Sequence, residues 1–121
     1  MLVKRADQHE WTSAGYAGAE RALLRSTKED GRTYIVRLKA GARGFRHRHA
    51  AGEDVLVLSG KVRLAGEVLG PGDYMFTEPG EEHFLEAIED SVVFASTPKP
   101  VVIVEEPAPV AEKVQQASTG Y

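Results

Sequence analysis

From residue 19 to residue 104, apolar residues recur at every second position in short runs, and most runs stop at glycine, proline or an acidic turn. In "RTYIVRLK", Tyr34, Val36 and Leu38 share one face, while Ile35, Arg37 and Lys39 share the other. The stretches "DVLVLSG", "KVRLAGEVL", "YMFT", "HFLEAI", "SVVFAS" and "PVVIV" read the same way. Asp30-Gly31, Ala65-Gly66, "GPGD", "EPGEE" and Glu89-Asp90 supply the turns between them. No helical stripe is sustained in this region, and "AERALLRS", the one stretch that could coil, sits among strands. The pattern predicts an all-β, antiparallel sandwich or barrel. It divides the chain into an N-terminal extension over 1–18 that can add a strand, a barrel over 19–106, and a Pro/Ala/Gln-rich tail over 107–121.

Composition narrows the function. A chain of 121 residues can bury one modest core. A formal net charge of −3 argues against nucleic-acid binding by bulk electrostatics. With no cysteine, disulfides and thiolate metal sites are excluded. The N-terminus has no apolar signal-like stretch and no run reaches membrane-spanning length, so a cytoplasmic protein without membrane contact is expected.

The chemistry concentrates in "FRHRHAAGED". In a strand, His47 and His49 point to one face together with Phe45, while Arg46 and Arg48 point to the other. The run is therefore not one basic patch. A tight turn at Ala50-Ala51-Gly52 can return Glu53 beside the two imidazoles. Two neutral nitrogens and a carboxylate suit one divalent first-row ion per chain: Fe, Mn, Ni, Cu or Zn. His83, after a second glycine turn, is a fourth candidate.

These residues resemble the cupin superfamily. Gly41-x5-His47-x-His49-x3-Glu53-x6-Gly60 matches the first cupin motif at every position. The second motif is matched at Gly72, Gly80 and His83, with Pro79 one place late and Ala87 where the motif has asparagine. The resemblance implies a double-stranded β-helix, or jelly-roll barrel, with His47, His49, Glu53 and His83 as metal ligands inside one open end. "HRHAAGEDVLVLSG" is further similar to the cupin domain of ChrR-type anti-sigma factors and to diketone-cleaving dioxygenases.

Four ligands on a six-coordinate ion would leave two positions for a small-molecule substrate, with or without dioxygen. The first expectation is a metal-dependent dioxygenase acting on a diketone, enol or phenol, with Glu53 able to double as a catalytic base. The alternatives are a non-redox isomerase, lyase or dehydratase for a sugar or keto acid, and a non-catalytic metal- or ligand-sensing module. Phe45, Tyr34, Tyr74 and Phe76 are candidate pocket walls and Arg43 a candidate rim residue, with core packing as the competing role for the aromatics. Leu56 and Leu58 point away from the Glu53 face, as expected for a homodimer contact between sheets.

Overall fold

A computed structural model describes residues 1–104. After a 3₁₀ turn at Ala6–Gln8 the described residues form twelve strands. These are β1 (Thr12–Ser13), β2 (Ala19–Ser26), β3 (Arg32–Leu38), β4 (His47–His49), β5 (Glu53–Ser59) and β6 (Val62–Leu64). They continue as β7 (Glu67–Leu69), β8 (Tyr74–Thr77), β9 (Glu82–His83), β10 (Leu85–Ala87), β11 (Ser91–Thr97) and β12 (Val101–Ile103). All pairings among them are antiparallel. "AERALLRS" is a strand, as its surroundings required. Among the described residues no helix is long and apolar enough to cross a membrane. The tail expected over 107–121 lies outside the described residues.

A six-stranded sheet has the order β1-β2-β3-β11-β5-β8, and two three-stranded sheets have the orders β10-β6-β7 and β12-β4-β9. Strand alternation sorts their side chains. Val36 and Leu38 from β3, Val55 and Val57 from β5, and Val93 and Ala95 from β11 turn inward. They meet Val62 and Leu64 from β6 and Ala87 from β10 in one core. Val57 and Val62 are fully enclosed. On the outward face Ala22, Ile35, Phe94, Leu56 and Tyr74 lie opposite one another across five strands. Leu58, Tyr74 and Phe76 on that face remain exposed. The N-terminal extension contributes β1, which pairs with β2, and Trp11, whose ring lies 4.0 Å from the guanidinium carbon of Arg37.

Two glycines hold turns no other residue fits comfortably. Gly52 (φ +88°) makes the reversal from β4 into β5, where a Cβ would stand 2.9 Å from the Thr77 carbonyl oxygen. Gly60 (φ +83°) follows β5, and a Cβ there would lie 2.2 Å from Ser91 Oγ and 2.3 Å from the Asp90 carbonyl oxygen.

Candidate metal centre

His47 and His83 are cross-strand partners in the β4–β9 pair, so their imidazoles share a face and approach to a centroid distance of 4.6 Å. His49, two residues on, falls on that same face. The Gly52 turn, anchored by a 3.0 Å hydrogen bond from Thr97 Oγ1 to the Gly52 carbonyl, starts β5 with Glu53 directed at the same point. The four ligand-type atoms lie within 4.8 Å of one another. His49, Glu53 and His83 are buried and His47 is half-buried.

Hydrogen bonds behind the cluster orient its rings. His47 Nδ1 lies 2.9 Å from the Phe45 carbonyl, which can only accept, so this nitrogen carries the proton and Nε2 presents a lone pair. His83 Nδ1 lies 3.3 Å from Thr77 Oγ1, a hydroxyl that can donate or accept. That freedom matters because His83 Nε2 sits 3.0 Å from the lone pair of His47 Nε2. Without an ion, a proton on His83 Nε2 bridges the two rings. Were an ion held there, Nδ1 would carry the proton and Thr77 Oγ1 would accept it. The Tyr34 hydroxyl donates to Glu53 Oε2 at 3.3 Å.

His49 provides the test of whether a metal fits. Its side chain is fully buried, yet neither ring nitrogen has a hydrogen-bond partner. Nε2 is 3.1 Å from Glu53 Oε1 but off hydrogen-bond geometry. Leaving such a group unsatisfied costs about 1–3 kcal/mol. Two atoms each 2.0–2.1 Å from an ion and at right angles to each other stand about 3 Å apart. Separations of 3.0 Å for His47–His83, 3.1 Å for His49–Glu53 and 3.5 Å for His83–Glu53 match that requirement.

Electrostatics sets the charge of the cluster. Burial pushes the His47 pKa down to about 4, outweighing its bond to the Phe45 carbonyl, with the charges of His83 and His49 lowering it further. Burial alone would raise Glu53, but the adjacent His49 and His83 imidazoles overcome it and hold the carboxyl at about 2. Tyr34 is raised well above its ordinary value, first by burial and then by the Glu53 charge. At neutral pH the centre therefore offers a neutral imidazole at His47, an anionic carboxylate and a protonated phenol.

The His47 shift implies a pH dependence. Its folded pKa lies below the unfolded value of about 6.5, so the unfolded chain takes up the proton first as pH falls. The metal-free protein should hold its melting temperature above pH 6.5 and lose stability between pH 6.5 and pH 4, by roughly 3 kcal/mol from His47 alone. Thermal melts in chelator across that range read this out. An unchanged Tm from pH 7 to pH 4.5 would contradict it.

A mostly apolar cavity of about 330 Å³ opens from the centre. His47, Glu53 and His83 border it, and so do Tyr34 and Phe45. The other expected pocket residues lie elsewhere. Glu53 pairs with Thr77, so Thr77 and Met75 take the inward side of β8 while Tyr74 and Phe76 turn outward and stay exposed. Tyr74 hydrogen-bonds Asp54 there. Arg43 pairs with Glu86 at 3.6 Å and covers the Phe84 ring, which Arg46 also covers. Arg48 points outward beside its cross-strand neighbour Glu82. Thr77, Arg21 and Arg32 are the site residues the sequence did not disclose. Thr77 and Arg21 are placed by strand register, which no local motif carries, while Arg32 shares the Tyr34 face by alternation.

Residues 1–102 match the model of the ChrR cupin-like domain family. No curated protein matches the chain in sequence. A candidate acetylacetone dioxygenase from Methylibium petroleiphilum PM1 superposes with a TM-score of 0.80 at 20% identity, covering 92% of this chain and 86% of that one. The acetylacetone dioxygenase of Acinetobacter johnsonii gives 0.78 at 20% identity, covering 88% and 78%. The anti-sigma factor ChrR of Rhodobacter sphaeroides, solved in complex with SigE, gives 0.67 at 26% identity. There the match covers 77% of this chain and 50% of ChrR. These likenesses establish the jelly-roll architecture of the barrel.

Proposed function

The chain belongs to the ChrR cupin-like domain family, and from that premise we propose that it is a metal-dependent dioxygenase acting on a small oxygen-chelating compound: a diketone, an enol or a phenol. The observation that carries the metal half of this reading is His49, buried with two unsatisfied nitrogens among three other converging ligands. The cavity beside them supports the small-molecule half.

His47, His49, Glu53 and His83 would hold one divalent ion. That ion would supply a Lewis acid and, if redox-active, the means to activate dioxygen. Glu53, with its carboxyl held at about 2, is a poor proton acceptor near neutral pH, so we assign it to charge balance in preference to general base. Tyr34 keeps its proton and borders the cavity, which suits it to donate a hydrogen bond to an enolate oxygen. Val55, Leu64, Val93 and Ala95 line the cavity and exclude water from the bound compound. Exposed Leu58, Tyr74 and Phe76 on the outer sheet face support a homodimer joined through that face.

The test is oxygen consumption by iron-loaded protein given acetylacetone as the probe diketone. Stoichiometric uptake of dioxygen with loss of the diketone absorbance is expected, and zinc-loaded protein should be inert. Turnover of a sugar or keto acid by zinc-loaded protein without oxygen would replace this reading with a non-redox one. A sensing role is the second reading, favoured by the likeness to ChrR, whose structure contains a protein partner. Tight metal binding, no turnover and capture of a defined protein partner would establish it instead.

A further inference from the structure

Two arginines border the cavity without serving the metal. Strand alternation puts Arg21 of β2 and Arg32 of β3 on the inward side of the large sheet, the side that carries Tyr34, Val36 and Leu38. Both are half-buried. Neither has a carboxylate within ion-pair distance among the described residues. The Arg21 guanidinium carbon is 5.9 Å from the Tyr34 ring centroid. Both arginines and Tyr34 also border a second, outer cavity of about 550 Å³, where Lys4, His9 and Glu10 are further lining residues. The three side chains thus form the partition between an outer, cationic groove and the inner cavity of the metal centre.

A half-buried guanidinium gives up part of its hydration, and among the described residues neither arginine has a carboxylate to compensate, Arg21 having the Tyr34 ring 5.9 Å away. A bound anion would supply that partner, and the planar fork of a guanidinium suits the paired oxygens of a carboxylate. Resting on the metal-centre reading above, we propose that Arg21 and Arg32 bind the carboxylate of a small organic acid whose opposite, oxygen-bearing end reaches the ligands at His47, Glu53 and His83. The natural substrate is then a chelating acid, not a neutral diketone, and it enters from the outer groove.

Calorimetric titration of the metal-loaded full chain with two matched probes tests this. The probes are acetylacetone and 4,6-dioxoheptanoate, which carries a carboxylate two methylenes away from the same diketone head. Wild type should bind the acid at least about tenfold more tightly. The double variant Arg21→Met/Arg32→Met should lose that preference while keeping its metal and its affinity for acetylacetone. Arg21→Lys, which keeps charge but not the fork, should fall between. Equal binding of the two probes by wild type, or a preference that survives in the double variant, overturns the proposal. If neither diketone binds, the chelation reading fails, and butanoate, which lacks the diketone head, decides the arginine site alone. Butanoate binding at least fivefold weaker in the double variant supports it, and arginine-independent binding overturns it. Inorganic phosphate binding more tightly than butanoate through the same arginines would overturn the assignment to a carboxylate.

Discussion

Replacing His49 with alanine is expected to strip the protein of its metal, lowering affinity by more than the roughly 10–100-fold that loss of an outer hydrogen-bond partner costs a metal site. His49 is fully buried, with Nδ1 unpartnered and Nε2 facing the Glu53 carboxylate at 3.1 Å outside good hydrogen-bond geometry. An ion shared by Nε2, Glu53 and His83 would give that nitrogen a partner. Elemental content after purification without added metal should fall from close to one ion per chain to near zero. Stability should separate the two forms of the protein. The metal-loaded wild type should melt well above the variant, since an ion that binds only the folded state adds its binding energy to folding. In chelator the gap should shrink, because the alanine removes two unsatisfied polar atoms along with the ring's packing. Equal metal content in wild type and variant would remove His49 from the ligand set.

Gly60→Ala should lower the melting temperature by roughly 8 °C or more, the equivalent of at least about 2 kcal/mol. Two costs combine. The left-handed φ of +83° strains any residue with a Cβ, and the added methyl would meet Ser91 Oγ at 2.2 Å. Ser91 cannot step aside. Its hydroxyl accepts from the Lys61 amide at 2.9 Å and donates to the Glu89 carbonyl at 2.8 Å. The Lys61 carbonyl in turn accepts the Ile88 amide at 2.9 Å. The whole β5–β6 corner and the start of β11 would have to shift together. Calorimetry on the metal-free forms isolates this effect from ligand binding. A variant that melts within a degree or two of wild type would mean the corner yields more freely than its hydrogen bonds imply.

The convergence of His47, His49 and Glu53 was legible in sequence because it obeys short-range rules. His47 and His49 share a face by strand alternation, and Gly52 allows the turn that brings Glu53 back. His83 was legible only through the spacing of a longer motif, since its pairing with His47 spans 36 residues. The pocket was less legible. Tyr74 and Phe76 were expected in it because they are aromatic, yet one step of register separates inside from outside on β8. Glu53 pairs with Thr77, so parity sends both rings outward and brings a threonine to His83. Arg21 and Arg32 were hidden as well. Arg21 turns inward through its pairing with Val36, and Arg32 shares the Tyr34 face by alternation, but in the sequence both look like further surface charges.

The strand order β12-β4-β9 has a mechanical consequence. Among the described residues β12 lies at the edge of that sheet, hydrogen-bonded in register to the strand that carries two of the candidate ligands: Val101 stands opposite His49 and Ile103 opposite His47. Pro100, Val101 and Ile103 also wall the cavity. One strand is therefore both a wall of the cavity and the backbone partner of β4, so displacing it would open the cavity and unpair His47 and His49 together.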